Sequence, residues 1–456
     1  MTKYDLIIIG GGPAGITLTK RLAKKMKIAV IRPEDFSLVY CAMPYVIEDL
    51  IDKRKCFKKD ELITEAGAEL IRDLVKSVDF KAKTLLLQSG NSLAYDKLVI
   101  ASGANPFIPK IEGYDLKGVM GFKTQDDLEL VTSYVENGLK KAIIVGAGAI
   151  GIELAQALKH KGLDVILIDM ASHVLPNLVG PEFSQLAAEQ IVKNGIRLVL
   201  ESKVEKLKGK DFVEEVHLDT GEVIDLGDYR PCTVDDNHII KGLVVFATGV
   251  VPELSFVQGT ELQIDRQGIV VNERMETNLP DVYAVGDCVQ FTHFITGKPS
   301  PGKLATNAVP MAAVLANNLL GKLATYKGFI NGAATKVYDN FVGGTGLTTK
   351  AAQNFGFDVV QALSQATTQF PIMPGKKDLQ VILVADKKTH KILGGQVFSG
   401  EPVTSLIDLI TFAIQKGATA HDLVELSYSS QPYQSFFPAG NVIVMAAESL
   451  IAQLED

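Results

Sequence analysis

At 456 residues the chain is too long for a single core and implies about three domains, and 47% hydrophobic residues with few aromatics and no Trp fit an alanine- and glycine-rich α/β protein. Lys and Arg number 46 against 53 Asp and Glu, a formal charge of −7, which argues against a nucleic-acid surface, because phosphate recognition needs clustered positive charge. Four Cys without a close pair are no disulfide framework, and neither a signal peptide nor an apolar run of membrane length is present, so the expectation is a cytoplasmic protein in a reducing compartment, with no membrane contact.

In chain order, residues 6–9 are a short β-branched run that ends in Gly10-Gly11-Gly12-Pro13-Ala14-Gly15, and helical spacing starts at Ile16. This predicts a strand, a glycine turn and a helix. Gly10 permits the tight turn, Gly12 lets backbone approach a pyrophosphate, and Gly15 lets the helix pack on the strand. Pro13 and Ala14 belong to this cofactor-binding turn, and the N-terminus of the helix that follows supplies amides for the phosphates. The next predicted strand, 28–31, should end in an acid that holds the adenosine ribose; it ends in Arg32-Pro33 instead. Either the displaced Glu34 reaches back or the ribose is held otherwise.

The stretch from Ser37 to Tyr45 follows, with one thiol, Cys41, just ahead of Pro44. Proline in a first helical turn wastes no hydrogen bond, so Cys41 is expected near the positive end of a helix, where thiolate is favoured and nucleophilic. The alternative is a buried, space-filling Cys. The basic run Lys53-Arg54-Lys55 reads as a solvated helix end, and the polar segment after Cys41 reads as helix-rich. A hairpin from Thr84 and a strand over 97–100 then lead to Ala101-Ser102-Gly103, where the chain leaves its first nucleotide-binding segment.

Residues 141–145 repeat the opening pattern, with Gly146, Gly148, Ile150 and Gly151 in the loop and a helix from Ile152. The matching second strand, 164–168, does end in an acid, Asp169, which accepts from both ribose hydroxyls and repels a 2′-phosphate, so NADH is favoured over NADPH. The strand at 244–246, ending near Gly249, returns the chain to the first domain. A later strand ends in Gly286-Asp287, placing a carboxylate beside a ribityl chain; with the split domain this is a flavin signal. The stretch 304–310, with Ala305, begins a helix whose N-terminus should face the isoalloxazine ring. From about Tyr326 the pattern changes to alternating strands and two helices, an α+β domain without a nucleotide motif. The expected fold class is therefore α/β, with two Rossmann-like dinucleotide-binding domains (FAD at 1–112 and 242–324, NAD at 113–241) and a C-terminal α+β dimerisation domain at 325–456. A segment at 229–238 containing Cys232 has no motif and defaults to a surface hairpin.

With the two glycine fingerprints, the Gly286-Asp287 strand and Ser37-x-x-x-Cys41-x-x-Pro44-Tyr45 together, the chain resembles a flavin disulfide reductase of the single-cysteine group. That group includes coenzyme A disulfide reductases, NADH peroxidases, NADH oxidases and persulfide reductases. The resemblance covers the full length, with Thr345-Gly-Leu-Thr in its place in the C-terminal domain. It implies FAD, a nicotinamide cofactor, a homodimer, Ser37 at the flavin, Glu153 near the nicotinamide, and Tyr428 or Tyr433 as the acid that protonates a departing thiolate. Hydride would pass from NADH to FAD and on to a small disulfide, persulfide or polysulfide at Cys41. The alternatives are an oxidase or peroxidase using a Cys41 sulfenate, and a subunit that delivers electrons to a partner redox protein.

Several departures weigh on the branch. Pro13 stands where the oxidases and peroxidases carry a histidine, which speaks against peroxide chemistry. Ile372 and Met373 replace an expected tyrosine, and Ser405-Leu406 replaces a basic pair, which speaks against coenzyme A itself. Ala149 replaces a tyrosine that gates the flavin.

Overall fold

The computed structural model describes residues 1–227, 232–234 and 239–455. Strand β1 (Thr2–Ile9) runs between two parallel neighbours, so both its faces are covered and its inner half reads as an unbroken apolar run. Helix α1 (Pro13–Leu22) starts on proline and places Lys20 and Arg21 in its last turn, as the helix dipole favours. After β2 (Ile28–Arg32) come β3 (Ser37–Leu38), the five-residue helix α2 (Met43–Ile47), β4 (Phe57–Lys58) and the long β5 (Ser92–Ile100). The segment between α2 and β5 is not helix-rich, contrary to expectation. Beyond short helical turns it is built of half-exposed strands, Glu69–Arg72, Val75–Asp79 and Thr84–Leu87, whose polar outer faces imitate a helix surface in sequence.

A second, all-parallel sheet holds β6 (Lys141–Val145), β7 (Asp164–Ile168) and β8 (Leu243–Phe246), with helix α3 (Ala149–His160) crossing over between β6 and β7. The chain then returns. Val250–Pro252 pairs antiparallel with Ala104–Pro106, β9 (Val282–Ala284) lies parallel to β5, and α4 (Ala305–Leu319) packs on α1. Of the expected hairpin at 229–238, Cys232–Thr233 pairs with Ile239–Ile240 and the Cys232 thiol donates to the Tyr134 carbonyl at 3.3 Å; positions 229–231 and 235–238 lie outside the described residues.

The C-terminal sheet is antiparallel, in the order β10 (Ala333–Val337), Asn340–Gly346, Ile392–Ser399, Asp378–Asp386, Val359–Thr367. Its strands alternate between two apolar surroundings. Val381, Leu383 and Ala385 face helices Thr404–Lys416 and Val442–Glu455, while Ile382, Val384, Val337, Val342 and Phe398 join the core around α3. Gln156 of α3 seals that contact: its amide donates to the Lys336 carbonyl at 3.0 Å and accepts from the Tyr338 N–H at 2.5 Å. Gln156→Leu leaves both backbone groups without this partner in a partly buried seam and should destabilise the protein by about 1–3 kcal/mol, read as a fall in the thermal midpoint of the FAD-loaded protein.

Candidate active site

The two glycine loops have the same construction. Gly10 has φ +114°, and a Cβ there would lie 2.1 Å from the Ala101 carbonyl oxygen; Gly146 also has φ +114°, with its Cβ position 2.5 Å from the Ala247 oxygen. Each first glycine therefore presses against the strand that crosses out of its sheet. Gly15 and Gly151 are the close-packing positions, since a Cβ would fall 2.1 Å and 1.9 Å from the carbonyl oxygens of Gly10 and Gly146. Gly12 and Gly148 differ: a Cβ on either meets no protein atom within 4 Å. That open backbone, at the start of α1 and α3, is where a pyrophosphate fits.

At the end of β7 the Asp169 carboxylate accepts from the N–H groups of Ala147 (2.6 Å) and Ala171 (2.8 Å), so it clamps the second loop and keeps acceptor capacity on each oxygen for ribose hydroxyls. At the end of β2 the arrangement is different. Arg32 is 3% exposed, its side chain lies against Gly11, and its guanidinium pairs with Asp60, which also binds Arg72. Glu34 is exposed and engages Arg72 only through its backbone carbonyl. The Glu34 carboxylate makes no hydrogen bond or ion pair among the described residues, but its charge acts on Arg32 at the end of β2 and on Lys123.

The crossing at Ala101-Ser102-Gly103 is tied on both sides. The Ala101 N–H donates to Ile9 (2.8 Å), the Ser102 hydroxyl to the Glu253 carbonyl (2.7 Å), and the Phe107 N–H to the Gly249 carbonyl (2.9 Å). Gly286 packs between Ala14 and Ala308, and next to it the Asp287 carboxyl has a buried oxygen, Oδ1, with no partner. An orphaned acceptor beside the first glycine loop fits the ribityl hydroxyls of FAD. Burial pushes the Asp287 carboxyl up, opposed by Lys303 and Lys123. Both lysines are pushed down by burial, and Asp287 opposes that in each. Lys303 donates to the carbonyls of Asp287 (2.6 Å) and Gln267 (2.9 Å), and Lys123 stands 5.9 Å over the Tyr40 ring. Neither lysine was visible as a site residue in sequence, because neither sits in a glycine loop. Ala305 is exposed at the first turn of α4.

Cys41 lies in a 3-10 turn, Tyr40–Ala42, ahead of α2, and it is exposed where Cys56, Cys232 and Cys288 are buried. Cys288 is buried and donates to the carbonyls of Ile100 and Val285 at 3.3 Å, a packed neighbour of Asp287. Cys56 lies beside the Cys41 turn: β3 pairs with β4, Ser37 is buried in that ladder, and the Val39 N–H donates to the Cys56 carbonyl at 2.8 Å. The expectation that Cys41 favours thiolate is corrected. Surrounding protein pushes its thiol up, and the Glu153 carboxylate pushes it further, against a lowering by its backbone hydrogen bond and Lys58. The five-residue helix after it is too short to reverse this. Tyr45 hydrogen-bonds to Glu153, which also accepts from Thr335 of β10 at 2.7 Å. Tyr428 and Tyr433 are exposed in the C-terminal segment, Tyr428 donating to the Pro438 carbonyl at 2.8 Å, and no hydrogen bond joins either to Cys41 among the described residues of the chain.

Comparison with known proteins adds to this geometry. The family profile described as Pyridine nucleotide-disulphide oxidoreductase matches residues 4–312, and that of its dimerisation domain matches residues 333–436. A protein of Methanocaldococcus jannaschii named NADH oxidase is 34% identical, covering 99% of each chain. One of Pyrococcus horikoshii named NAD(P)H coenzyme A polysulfide/persulfide reductase is 31% identical over 98% of each. Among solved structures, an NAD-dependent persulfide reductase from A. fulgidus superposes with a TM-score of 0.90 at 26% identity, covering 99% of this chain and 83% of that one.

Proposed function

As a member of the pyridine nucleotide-disulphide oxidoreductase family, the chain is an NAD(P)H-dependent FAD oxidoreductase, and we propose that it delivers electrons to a small disulfide, persulfide or polysulfide held at Cys41. The observation that carries this reading is Cys41 itself: one exposed thiol next to Tyr40, whose phenol feels the charges of both Cys41 and Asp287, while the other three thiols are buried. FAD, when bound, carries two electrons between the nicotinamide and the thiol. The chain's own residues bind and orient. Gly10, Gly12, Pro13, Ala14 and Gly15 would take the FAD pyrophosphate on the start of α1, with Ala101, Ser102, Gly103, Gly286 and Asp287 along the ribityl chain and Ser37 and Ala305 toward the ring. Gly146, Gly148, Ile150 and Gly151 would take the nicotinamide dinucleotide, and Gly249 closes the return crossing. The dimerisation domain supports a homodimer, in which Tyr428 or Tyr433 of the partner subunit would approach the thiol. Among the described residues no helix is long and apolar enough to cross a membrane.

Asp169 carries the NADH preference. Asp169→Ala should lower the ratio of kcat/KM for NADH over NADPH by about tenfold, the equivalent of one lost charged contact near 1.4 kcal/mol.

A second reading, NADH oxidase, is favoured by the name of the Methanocaldococcus relative; Pro13, which offers no proton to a peroxide, weighs against it. The test is NADH oxidation at 340 nm by the purified protein against coenzyme A disulfide, coenzyme A persulfide, polysulfide, oxygen and peroxide. Faster turnover with a sulfur acceptor than with oxygen supports the proposal. Oxygen or peroxide as the better acceptor gives the oxidase reading, and failure with all five leaves transfer to a redox protein.

A further inference from the structure

The two glycine loops differ at one equivalent pair of positions. In the first sheet Ile9 of β1 lies opposite Ile31 of β2, and the Gly10 N–H donates to the Ile31 carbonyl at 2.8 Å. In the second, Val145 of β6 lies opposite Ile168 of β7, and the Gly146 N–H donates to the Ile168 carbonyl at 2.7 Å. One residue further along stand Arg32 and Asp169, so the arginine occupies on the first loop the place that the acid holds on the second. Each loop is matched to its side chain. Asp169 is short and accepts from the N–H of Ala147, whose methyl group is wholly buried. Arg32 is long and lies against Gly11, the counterpart of Ala147: a Cβ there would fall 2.5 Å from the Arg32 Cδ and 3.4 Å from its Nε. Gly11 has no positive φ, so the arginine and not the backbone calls for glycine here.

The arginine is fixed from behind. It is 3% exposed, and its Nη2 donates to the Asp60 carboxylate and to the Asp35 carbonyl at 3.3 Å. Arg72, its register partner in the strand Glu69–Arg72, donates to the other oxygen of Asp60 and to the carbonyls of Glu34 and Asp35. One carboxylate thus serves two guanidiniums, and the end of β2 keeps a donor to spare: the Arg32 Nε is buried without an acceptor among the described residues. A buried donor is costly unless paired, and the ribose oxygens of a dinucleotide seated on this loop can accept. We propose that Arg32, anchored by Asp60 and Arg72, holds the adenosine ribose of FAD by donating to its 2′ or 3′ oxygen. This rests on the reading of the first loop as the FAD loop. The polarity is the reverse of that at Asp169, to which ribose hydroxyls would donate. Glu34 contributes charge and no contact: burial pushes the Arg32 guanidinium down, Asp60 opposes this, Arg72 adds to it, and Glu34 and Asp35 oppose it.

The test strips FAD from the full-length protein and titrates the apoprotein with FAD and with its 2′-deoxyadenosine and 3′-deoxyadenosine analogues, followed by flavin fluorescence, with circular dichroism as the check on folding. In the native protein one of the two analogues should bind about tenfold weaker than FAD. Arg32→Ala should weaken FAD by about 10- to 100-fold and bind FAD and both analogues alike. Gly11→Ala keeps the arginine but drives it aside, and should abolish the same discrimination; Gly11→Ala combined with Arg32→Ala should be little worse than Arg32→Ala alone, because removing the long side chain makes room for the methyl group. Native protein that binds FAD and both analogues equally overturns the proposal, and that result needs no variant. A native penalty that survives in Arg32→Ala or in Gly11→Ala overturns it as well, as does a loss of affinity in Arg32→Ala that leaves the ratio between FAD and the analogues unchanged. Gly10→Ala apoprotein that binds FAD as tightly as the native protein would instead overturn the assignment of FAD to this loop.

Discussion

Cys41→Ser is expected to lower NADH-dependent reduction of a disulfide or persulfide by at least about 10³-fold, while the protein still binds FAD and NADH still bleaches the flavin absorbance. Serine fits the exposed position of Cys41, and none of the glycine loops depends on its side chain, so folding and cofactor content should hold. What is lost is the sulfur that forms and breaks the mixed disulfide. Cys56 cannot take over: it is wholly buried, and its thiol is pushed up by burial. In the unmodified protein the alkylation rate of Cys41 should keep climbing above the pH at which free cysteine levels off, because a raised thiol pKa moves the thiolate to higher pH. Retained turnover in the serine variant would remove the sulfur chemistry from this site.

Gly10→Ala carries the second large effect. The new methyl would sit 2.1 Å from a backbone oxygen at φ +114°, a clash that no side-chain rotation relieves. The expected result is a protein without FAD, destabilised by more than about 4 kcal/mol, seen as a colourless product or as loss from the soluble fraction. Gly146→Ala offers the control. It places comparable strain in the second loop, at 2.5 Å from the Ala247 oxygen, so it too should lower stability, but the protein that folds should keep FAD and show a KM for NADH raised by about tenfold or more. A Gly10→Ala protein that keeps full FAD would show that the first loop does not hold this cofactor.

The glycine loops were legible in sequence because each is a local device: a strand, a turn and a helix start within about a dozen residues, and the spacing alone fixes their contacts. The same holds for Asp169 and for the Gly286-Asp287 strand end. Arg32 announced a departure, but Asp60, which shares its charge with Arg32 and Arg72, lies in a stretch without pattern. The hydrogen bond of Thr335 to Glu153 spans 182 residues, and no periodicity reports a pairing between a helix of one sheet and a strand of another. Lys123 and Lys303 are set against Asp287 by the return of the chain, which sequence placed only coarsely. The expected thiolate at Cys41 failed for a related reason: a proline-led helix does follow it, but the surrounding protein pushes the thiol up first and the Glu153 carboxylate from α3 adds to that, neither of which local sequence reports.

Because Val337, Val342, Ile382, Val384 and Phe398 lie in one apolar mass with the α3 side of the second sheet, the final third of the chain is no detachable appendage. A protease that clipped it away would leave a greasy scar on the α3 side of the second sheet, and the fragment should precipitate rather than persist as a working flavoprotein. Evolution faces the same constraint: new tails can be added to the outer helices, while the sheet itself can change only in step with the helix it covers.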